Sequence, residues 1–81
     1  MRLDKYLKVS RIIKRRPVAK EACDLGKVKV NGKVAKAGDD INIDDKIEIE
    51  FRDTTLKIKI LEIKEHVRKE DSKDMYEIIN N

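Results

Sequence analysis

The residues of this chain that can do chemistry are mainly cations, and they are concentrated at its amino-terminal end. Eleven of the twenty Lys and Arg residues lie in residues 1–33, where only three acids accompany them, so this segment carries a net charge of +8. The remaining 48 residues carry a net charge of −4. A basic surface of this density most often binds a polyanion, and nucleic acid is the commonest one. A basic surface that is merely solvated is the alternative, which the separation of bases from acids disfavours.

The spacing of these cations predicts how they act. Five of them follow one another at intervals of three residues: Arg2, Lys5, Lys8, Arg11 and Lys14. Arg15 and Arg16 come next, directly before Pro17, a residue that favours the first turn of a helix. The free N–H groups at a helix start favour a phosphate, and an arginine guanidinium matches phosphate oxygens with a planar fork. We therefore expect phosphate binding here that weakens steeply as salt rises.

Other kinds of chemistry have little support. Four carboxylates stand close together in sequence: Asp39, Asp40, Asp44 and Asp45. Their spacing does not match a calcium loop, and aspartates are ordinary turn residues. His66 is the single histidine, too few for a zinc site, and Cys23 has no histidine nearby in sequence, so a buried thiol is expected. Because phosphate-loop and serine-nucleophile motifs are also missing, we expect no enzyme, no metal site and no cofactor.

Composition limits the size and location of the protein. A chain of 81 residues is enough for one small domain, and its three aromatic residues are too few for a deep substrate pocket. Although 44% of the residues are charged, the apolar ones are strongly patterned, which predicts a folded chain. The opening MRLDKYL lacks the apolar part of a signal peptide, and no apolar run is long enough to span a membrane. A single cysteine cannot form an internal disulfide and suits a reducing cytosol, so the protein is expected in the cytoplasm. It is also expected to be a monomer.

The basic spacing cannot continue along one helix. Residues 2–8 have the apolar spacing of an amphipathic helix, carried by Leu3, Tyr6 and Leu7. Each interval of three residues falls about 60° short of a full turn, so a longer helix would carry Lys14 into the apolar side. We therefore expect a break near Ser10, with Ile12 and Ile13 turned inward.

A second helix is predicted to begin at Pro17 and to end at Gly26, where a left-handed cap is expected. Its buried side is predicted to contain Val18, Ala19, Ala22, Cys23 and Leu25. Asn31-Gly32 between alternating apolar residues then predicts a tight hairpin, because both turn positions need positive φ. Lys29 and Lys33 are expected on the face of this hairpin opposite its valines.

The rest of the chain alternates between apolar and polar residues. Turns at 38–40 and 44–45 separate runs that predict further antiparallel strands, with the last run at 56–60. After a polar loop at 66–70, Asp71 or Ser72 is expected to cap a short closing helix. That helix is predicted to carry Met75, Tyr76, Ile78 and Ile79. The prediction is a small α+β domain with two amino-terminal helices, an antiparallel sheet and a closing helix.

Three segments resemble a known family. R-L-D-K-Y-L at 2–7, R-R-P-V-A at 15–19 and G-K-V-K-V-N-G-K at 26–33 resemble, in order and spacing, the RNA-binding domain named after small-subunit ribosomal protein four. The resemblance covers residues 1 to about 50. Within the family, the chain is most similar to short stand-alone members related to the fifteen-kilodalton heat-shock protein, especially those of ribosome-associated quality control.

The resemblance implies both a fold and a function. The fold is an αL-type module in residues 1–65, two helices on a small antiparallel sheet, followed by a carboxy-terminal extension at 66–81. The function is binding to a split large ribosomal subunit that still holds peptidyl-tRNA, with contacts to 23S rRNA and to the tRNA. Such a factor supports carboxy-terminal tailing of the stalled peptide by a partner protein on the same subunit. Neither a membrane nor a small-molecule substrate is implied.

The resemblance also implies which residues contact RNA. Carried over by position, they are Arg2, Lys5, Lys8, Ser10, Arg11, Arg15, Arg16 and Lys20, and charge adds Lys14, Lys29 and Lys33. Asp4 is expected to organise Arg2 or the nearby turn. The chain departs from the family at Asp44, where glycine is common, but aspartate tolerates the left-handed conformation.

Two alternatives to structured RNA stay open. Phosphate contacts alone do not choose between nucleic acids, so a DNA-binding or nucleoid-associated module is one alternative. The low aromatic content favours structured RNA over single strands, which need rings for base stacking. The other alternative, compatible with RNA binding, is an adaptor whose acidic half binds a protein through Glu48, Glu50, Glu62, Glu65 and Glu70.

Overall fold

The structure, a computed structural model, describes residues 1–79 and forms an α+β fold, as predicted. Its two α-helices are α1 (Leu3–Val9) and α2 (Arg16–Asp24). Its five strands are β1 (Val28–Val30), β2 (Lys33–Val34), β3 (Lys46–Glu50), β4 (Thr55–Ile60) and β5 (Tyr76–Ile78), and a 3₁₀ helix spans Lys69–Met75. The strands form one antiparallel sheet in the order β2-β1-β3-β4-β5. None of the helices in the described part of the chain combines the length and apolar character needed to cross a bilayer.

Helix α1 ends where the charge spacing predicted a break. Leu3, Tyr6 and Leu7 are fully buried, and Ser10 terminates the helix. The next residue, Arg11, has a positive φ of 64°, which turns the chain out of the helix. Ile13 is buried beyond this turn and Ile12 packs against the core, so the predicted inward turn is confirmed.

Helix α2 differs from the prediction at its start and on one side. It begins at Arg16, so Pro17 is its second residue. Ala19 and Cys23 are buried as predicted, but Val18 and Leu25 are exposed, which makes that part of the prediction wrong. Because they lie seven residues apart, Val18 and Leu25 share one side of the helix, and that side faces an open apolar groove of about 350 Å³.

The Asn31-Gly32 turn forms the predicted hairpin, with φ values of 52° and 86°. The turn fixes the strand register, which pairs Val30 with Lys33 and Lys29 with Val34. Paired residues share a face of the sheet, so Lys29 and Lys33 lie on opposite faces. The prediction that both project opposite the valines is therefore wrong. Lys33 shares its face with Val30, and Lys29 shares its face with Val34.

Aspartates shape the other turns. Asp44 has a φ of 74°, so it occupies a left-handed position, a conformation that aspartate tolerates. Asp39 accepts a hydrogen bond from the Lys36 N–H at 2.9 Å, and Asp45 accepts one from the Asn42 N–H at 2.8 Å. These carboxylates therefore act in the turns. Among residues 1–79, no group of three or more His, Cys, Asp or Glu side chains is arranged to hold a metal ion.

The end of the chain is a strand, where a closing helix was predicted. The 3₁₀ helix begins after Arg68 and includes Ser72, and Tyr76 and Ile78 then pair with β4. A short apolar run does not distinguish helix from strand, and here the free edge of β4 decides between them. The segment completes the sheet, so residues 69–78 pack as part of the domain. Of the extension predicted at 66–81, Asn80 and Asn81 lie outside the described residues.

Tyr6 connects α1 to this last segment. Its side chain is fully buried, and its hydroxyl donates to the Met75 carbonyl at 2.9 Å. Burial, with smaller contributions from Tyr76 and Glu62, raises the pKa of Tyr6 well above its ordinary value. The phenol is therefore a neutral donor in the core at any physiological pH.

Replacing Tyr6 by phenylalanine is expected to lower the free energy of unfolding by about 1 kcal/mol. The loss is modest because the Met75 carbonyl also accepts the N–H groups of Leu61 and Glu62, at 2.8 and 3.1 Å. Thermal unfolding should show a melting temperature lower by about 4–8 °C. Tyr76→Phe is the matched control and should melt close to the native chain. Equal losses in the two variants would contradict the role given to the Tyr6 hydroxyl.

Candidate nucleic-acid interface

Two arginines from different elements meet on one buried carboxylate. Arg2 precedes α1, Arg16 opens α2, and the Asp4 side chain between them is only 4% exposed. Arg2 Nε lies 3.1 Å from Asp4 Oδ1, and Arg16 Nε lies 3.4 Å from Asp4 Oδ2. We call these three residues the Asp4 cluster. The predicted pairing of Asp4 with Arg2 is confirmed, and the structure adds Arg16.

The backbone around α1 fixes the position of this cluster. The Leu3 N–H donates to the Asp39 carbonyl at 2.8 Å, and the Asp4 N–H donates to the Ala37 carbonyl at 3.1 Å. Asp4 Oδ1 also accepts the Lys5 N–H at 2.8 Å. The carboxylate is thus held on several sides, and it orients two guanidinium groups whose side chains remain 50% and 44% exposed. Both arginines are available to an anion in solvent.

The cluster keeps Asp4 ionised. Burial alone would raise the pKa of Asp4, but hydrogen bonds from Arg2 and Arg16, the charge of Arg16 and the Lys5 N–H outweigh it. The pKa of Asp4 is therefore held below its ordinary value of 3.8. At neutral pH one negative charge holds two positive ones, and the cluster has a net positive charge.

A second group of cations lies at the other end of α1 and in the segments beside it. Lys8, Arg11, Lys14 and Lys69 line an open depression of about 400 Å³, which we call the four-cation depression. Lys5 lies three residues after Arg2 and three before Lys8, so it stands between the two groups on the helix. Lys5 is ion-paired with Glu65. Helix α1 therefore joins the Asp4 cluster to the four-cation depression.

Of the remaining predicted site residues on the helices, two are exposed and one is buried. Arg15 is exposed at the start of α2, and Lys20 is exposed on α2, where it pairs with Asp24 at 2.9 Å. Ser10 is only 1% exposed and its hydroxyl donates to the Leu7 carbonyl, so the RNA contact predicted for it has no exposed side chain behind it and stays a prediction. Its type and position suited a surface contact, but the helix end turns its side chain inward.

The hairpin lysines stand apart from the helical cations. Lys29 and Lys33 lie on opposite faces of the sheet. They do not line the four-cation depression, and they do not line a second depression, which lies beside Arg2. Two lysines that sequence reasoning missed do line them. Lys36 shares a depression of about 480 Å³ with Arg2 and Lys20, and Lys69 completes the four-cation depression. No local motif marks either residue, because both arrive through the folding of distant segments.

The possible nucleophile is inert. Cys23 is buried, and burial, with smaller contributions from Asp4, Asp24 and Asp39, raises its pKa to about 11. Its thiol is therefore protonated at neutral pH, whereas a reactive cysteine needs a thiolate. His66 is exposed in the segment that follows β4. The chemistry that the geometry offers is anion binding by exposed cations held in place by a buried carboxylate.

Comparison with known proteins assigns this arrangement to a family. The family model of the S4 domain matches residues 1–47, which include α1, α2 and the hairpin. The chain belongs to the S4 domain family. The resemblance seen in the sequence is confirmed, and the matched residues contain the whole Asp4 cluster and three cations of the four-cation depression. Lys69 lies outside the matched S4 domain.

Individual relatives cover nearly the whole chain. The RQC P-site tRNA stabilizing factor of Streptococcus pneumoniae is 58% identical over 80 residues, which are 99% of this chain and 91% of that protein. The factor of the same name from Halalkalibacterium halodurans is 50% identical, over 96% of this chain and 89% of that protein. Among solved structures, the fold is similar to that of Vibrio cholerae heat shock protein 15, which was solved as a trimer. The TM-score is 0.92 at 29% identity, and the match covers 98% of this chain and 81% of that one.

Proposed function

We propose that this protein binds structured RNA on the large ribosomal subunit, as a non-catalytic factor that holds the P-site tRNA during ribosome-associated quality control. The observation that carries the proposal is the Asp4 cluster, in which two exposed guanidinium groups are fixed by one buried carboxylate. Fixed arginine forks bind phosphate oxygens with little loss of side-chain freedom. The names of the relatives supply the tRNA and the quality-control pathway.

The exposed side chains support structured RNA over single strands. Single-strand platforms stack bases on aromatic rings, and this chain has only three aromatic residues. Tyr6 is fully buried and Tyr76 is partly buried on β5, while Phe51 lies in the apolar groove beside Val18. Structured RNA is recognised through its backbone and shape, for which a rigid cationic surface suffices.

The finer parts of the proposal come from the family resemblance. We place the RNA contacts on 23S rRNA and on peptidyl-tRNA, and the protein in the cytoplasm with the ribosome. A partner protein on the same subunit carries out the carboxy-terminal tailing, which this chain supports without catalysing it. Tailing assayed on purified stalled subunits should therefore require both proteins, and this chain alone should add no residues.

Arg16→Ala is expected to weaken binding to large ribosomal subunits by about tenfold or more, because it removes one of the two fixed guanidinium groups. Asp4 keeps Arg2, so the melting temperature should fall by only a few degrees. Co-sedimentation at several salt concentrations measures the binding. Arg52→Ala removes an exposed arginine at the β3–β4 turn and is the matched control, expected to bind like the native chain. Native-like binding by a folded Arg16→Ala variant would falsify the proposal.

Competition distinguishes RNA from DNA. Structured tRNA should displace the protein from large subunits at concentrations where duplex DNA of equal charge does not. Equal displacement by both at matched salt would favour the nucleoid-associated alternative, because a purely electrostatic surface does not separate them.

A further inference from the structure

The four-cation depression brings together like charges from three separate segments. Lys8 is on α1, Arg11 and Lys14 are in the connection to α2, and Lys69 opens the 3₁₀ helix near the other end of the chain. Like charges held close together repel one another, and a bound anion relieves that repulsion. Within residues 1–79 none of these four cations forms an ion pair. The arrangement is therefore suited to an anion from outside the chain.

The nearby carboxylates pair with other cations. Glu65 pairs with Lys5, on the side of α1 next to the depression. Arg68 pairs with Asp71 at 3.0 Å and lies 3.9 Å from Glu70. The two acids that follow Lys69 in sequence are thus engaged by the residue that precedes it. This pairing leaves the charge of Lys69 uncompensated at the edge of the depression.

The backbone at Arg11 adds an independent observation. Its φ of 64° is a conformation that glycine adopts freely and that costs other residues free energy. Its guanidinium also makes a long hydrogen bond, 3.5 Å, to the Val67 carbonyl. The turn therefore directs a cation toward the segment that leads to Lys69. A turn needed only to end α1 would be served better by glycine.

We propose that the four-cation depression binds a backbone phosphate of RNA and that Lys69, outside the matched S4 domain, is one of its ligands. The Arg11 fork and the three lysine ammonium groups supply donors to the phosphate oxygens. This inference rests on the proposed function and deepens it, because it makes the last segment of the chain part of the RNA-binding surface. The segment then acts both in the sheet and in recognition.

Lys69→Ala is expected to weaken binding to purified large ribosomal subunits and to tRNA by about fivefold. It should also reduce the slope of log affinity against log salt by about 1, as the loss of one phosphate contact does. Lys73→Ala is the matched control, since Lys73 is an exposed lysine of the same 3₁₀ helix that does not line the depression. Its affinity should change less than about twofold, and both variants should melt like the native chain.

Arg11→Gly separates binding from stability. The glycine relieves the backbone strain, so the melting temperature should stay equal or rise, while RNA binding should fall at least as much as in Lys69→Ala. The double variant should lose less than the product of the two single effects, because both residues contact one phosphate. Independent, fully multiplicative losses would show that they contact separate groups and would overturn the shared site.

The outcomes separate this inference from the proposed function. If Arg16→Ala loses binding while Lys69→Ala binds with native affinity and slope, the phosphate site fails and the proposed function stands. If both variants bind like the native chain, the proposed function itself fails. The alternative ligand of this site is free phosphate. Titration with inorganic phosphate, monitored by the chemical shifts of the backbone amides, tests it. Shifts at Lys69 without any effect of Lys69→Ala on RNA binding would assign the site to free phosphate and overturn the RNA proposal.

Discussion

A chain shortened after Glu65 is expected not to fold cooperatively. The missing segment contains Met75, which is fully buried, and β5, which covers the edge of β4. Loss of a buried methionine costs about 2–5 kcal/mol. The unpaired Tyr6 hydroxyl adds about 1–3 kcal/mol. Domains of this length have only roughly 4–12 kcal/mol in total. Far-ultraviolet circular dichroism during thermal unfolding measures the effect.

Two controls make this result interpretable. A chain ending at Ile79 keeps all five strands that the structure describes and should melt like the full chain. Met75→Ala should lower stability by about 2–4 kcal/mol, whereas Met75→Leu, which nearly conserves volume, should cost less than about 1.5 kcal/mol. A sharp transition of the shortened chain near that of the full chain would instead establish residues 1–65 as a domain that folds alone. The experiment thereby decides the division at residue 65 expected from the family.

The parts of the fold that the sequence predicted correctly depend on local signals. The turns at Gly26 and Asn31-Gly32 follow from left-handed backbone conformations that few residues adopt easily. The helix end at Ser10 follows from a charge spacing that one helix cannot keep on one side. The apolar spacing of α1 similarly predicts its buried side. These features need no knowledge of distant segments, so one sequence was enough to place them.

The wrong predictions concern residues whose secondary structure or burial depends on a segment that is distant in sequence. The run Met75 to Ile79 is apolar enough for helix or strand, and the free edge of β4 selects the strand. Val18 and Leu25 are apolar, yet half or more of each remains exposed on their side of α2. Small domains have too little chain to cover every apolar side chain, so composition alone does not identify which remain exposed.

In the candidate site too, local sequence predicted some features, whereas others depend on contacts between distant segments. Charge spacing located the cations of α1 and the start of α2, and the resemblance assigned Asp4 a role beside Arg2. The pairing of Asp4 with Arg16, twelve positions away, depends on the packing of α1 against α2. The position of Lys69 beside Lys8 and Arg11 depends on a contact between segments that are even farther apart in sequence. Long-range contacts of this kind have no sequence signature without the fold.

Removing both Arg2 and Arg16 is expected to abolish binding to large subunits and to destabilise the protein more than the two single changes together. After either single substitution, the remaining arginine still pairs with Asp4. After both, the buried carboxylate keeps only the Lys5 N–H as a partner among residues 1–79. Breaking a buried pair costs about 3–5 kcal/mol, and the half-exposed arginines here reduce the expected loss to about 1–3 kcal/mol. Thermal unfolding of the two single variants and the double variant measures this non-additivity.

Adding Asp4→Asn to the double variant separates stability from binding. Asparagine keeps an acceptor for the Lys5 N–H but removes the buried charge, so stability should recover while binding should not. The same substitution in the native chain should cost stability at neutral pH, because the pKa of Asp4 is lowered by folding and its ionised form favours the folded state. That cost should shrink as the pH falls below the ordinary value of 3.8, where the carboxyl of the unfolded chain takes up its proton, and it should disappear below the lowered pKa of the folded state. A cost independent of pH would show that Asp4 acts through its shape and hydrogen bonds, and that its charge does not hold the two arginines in place.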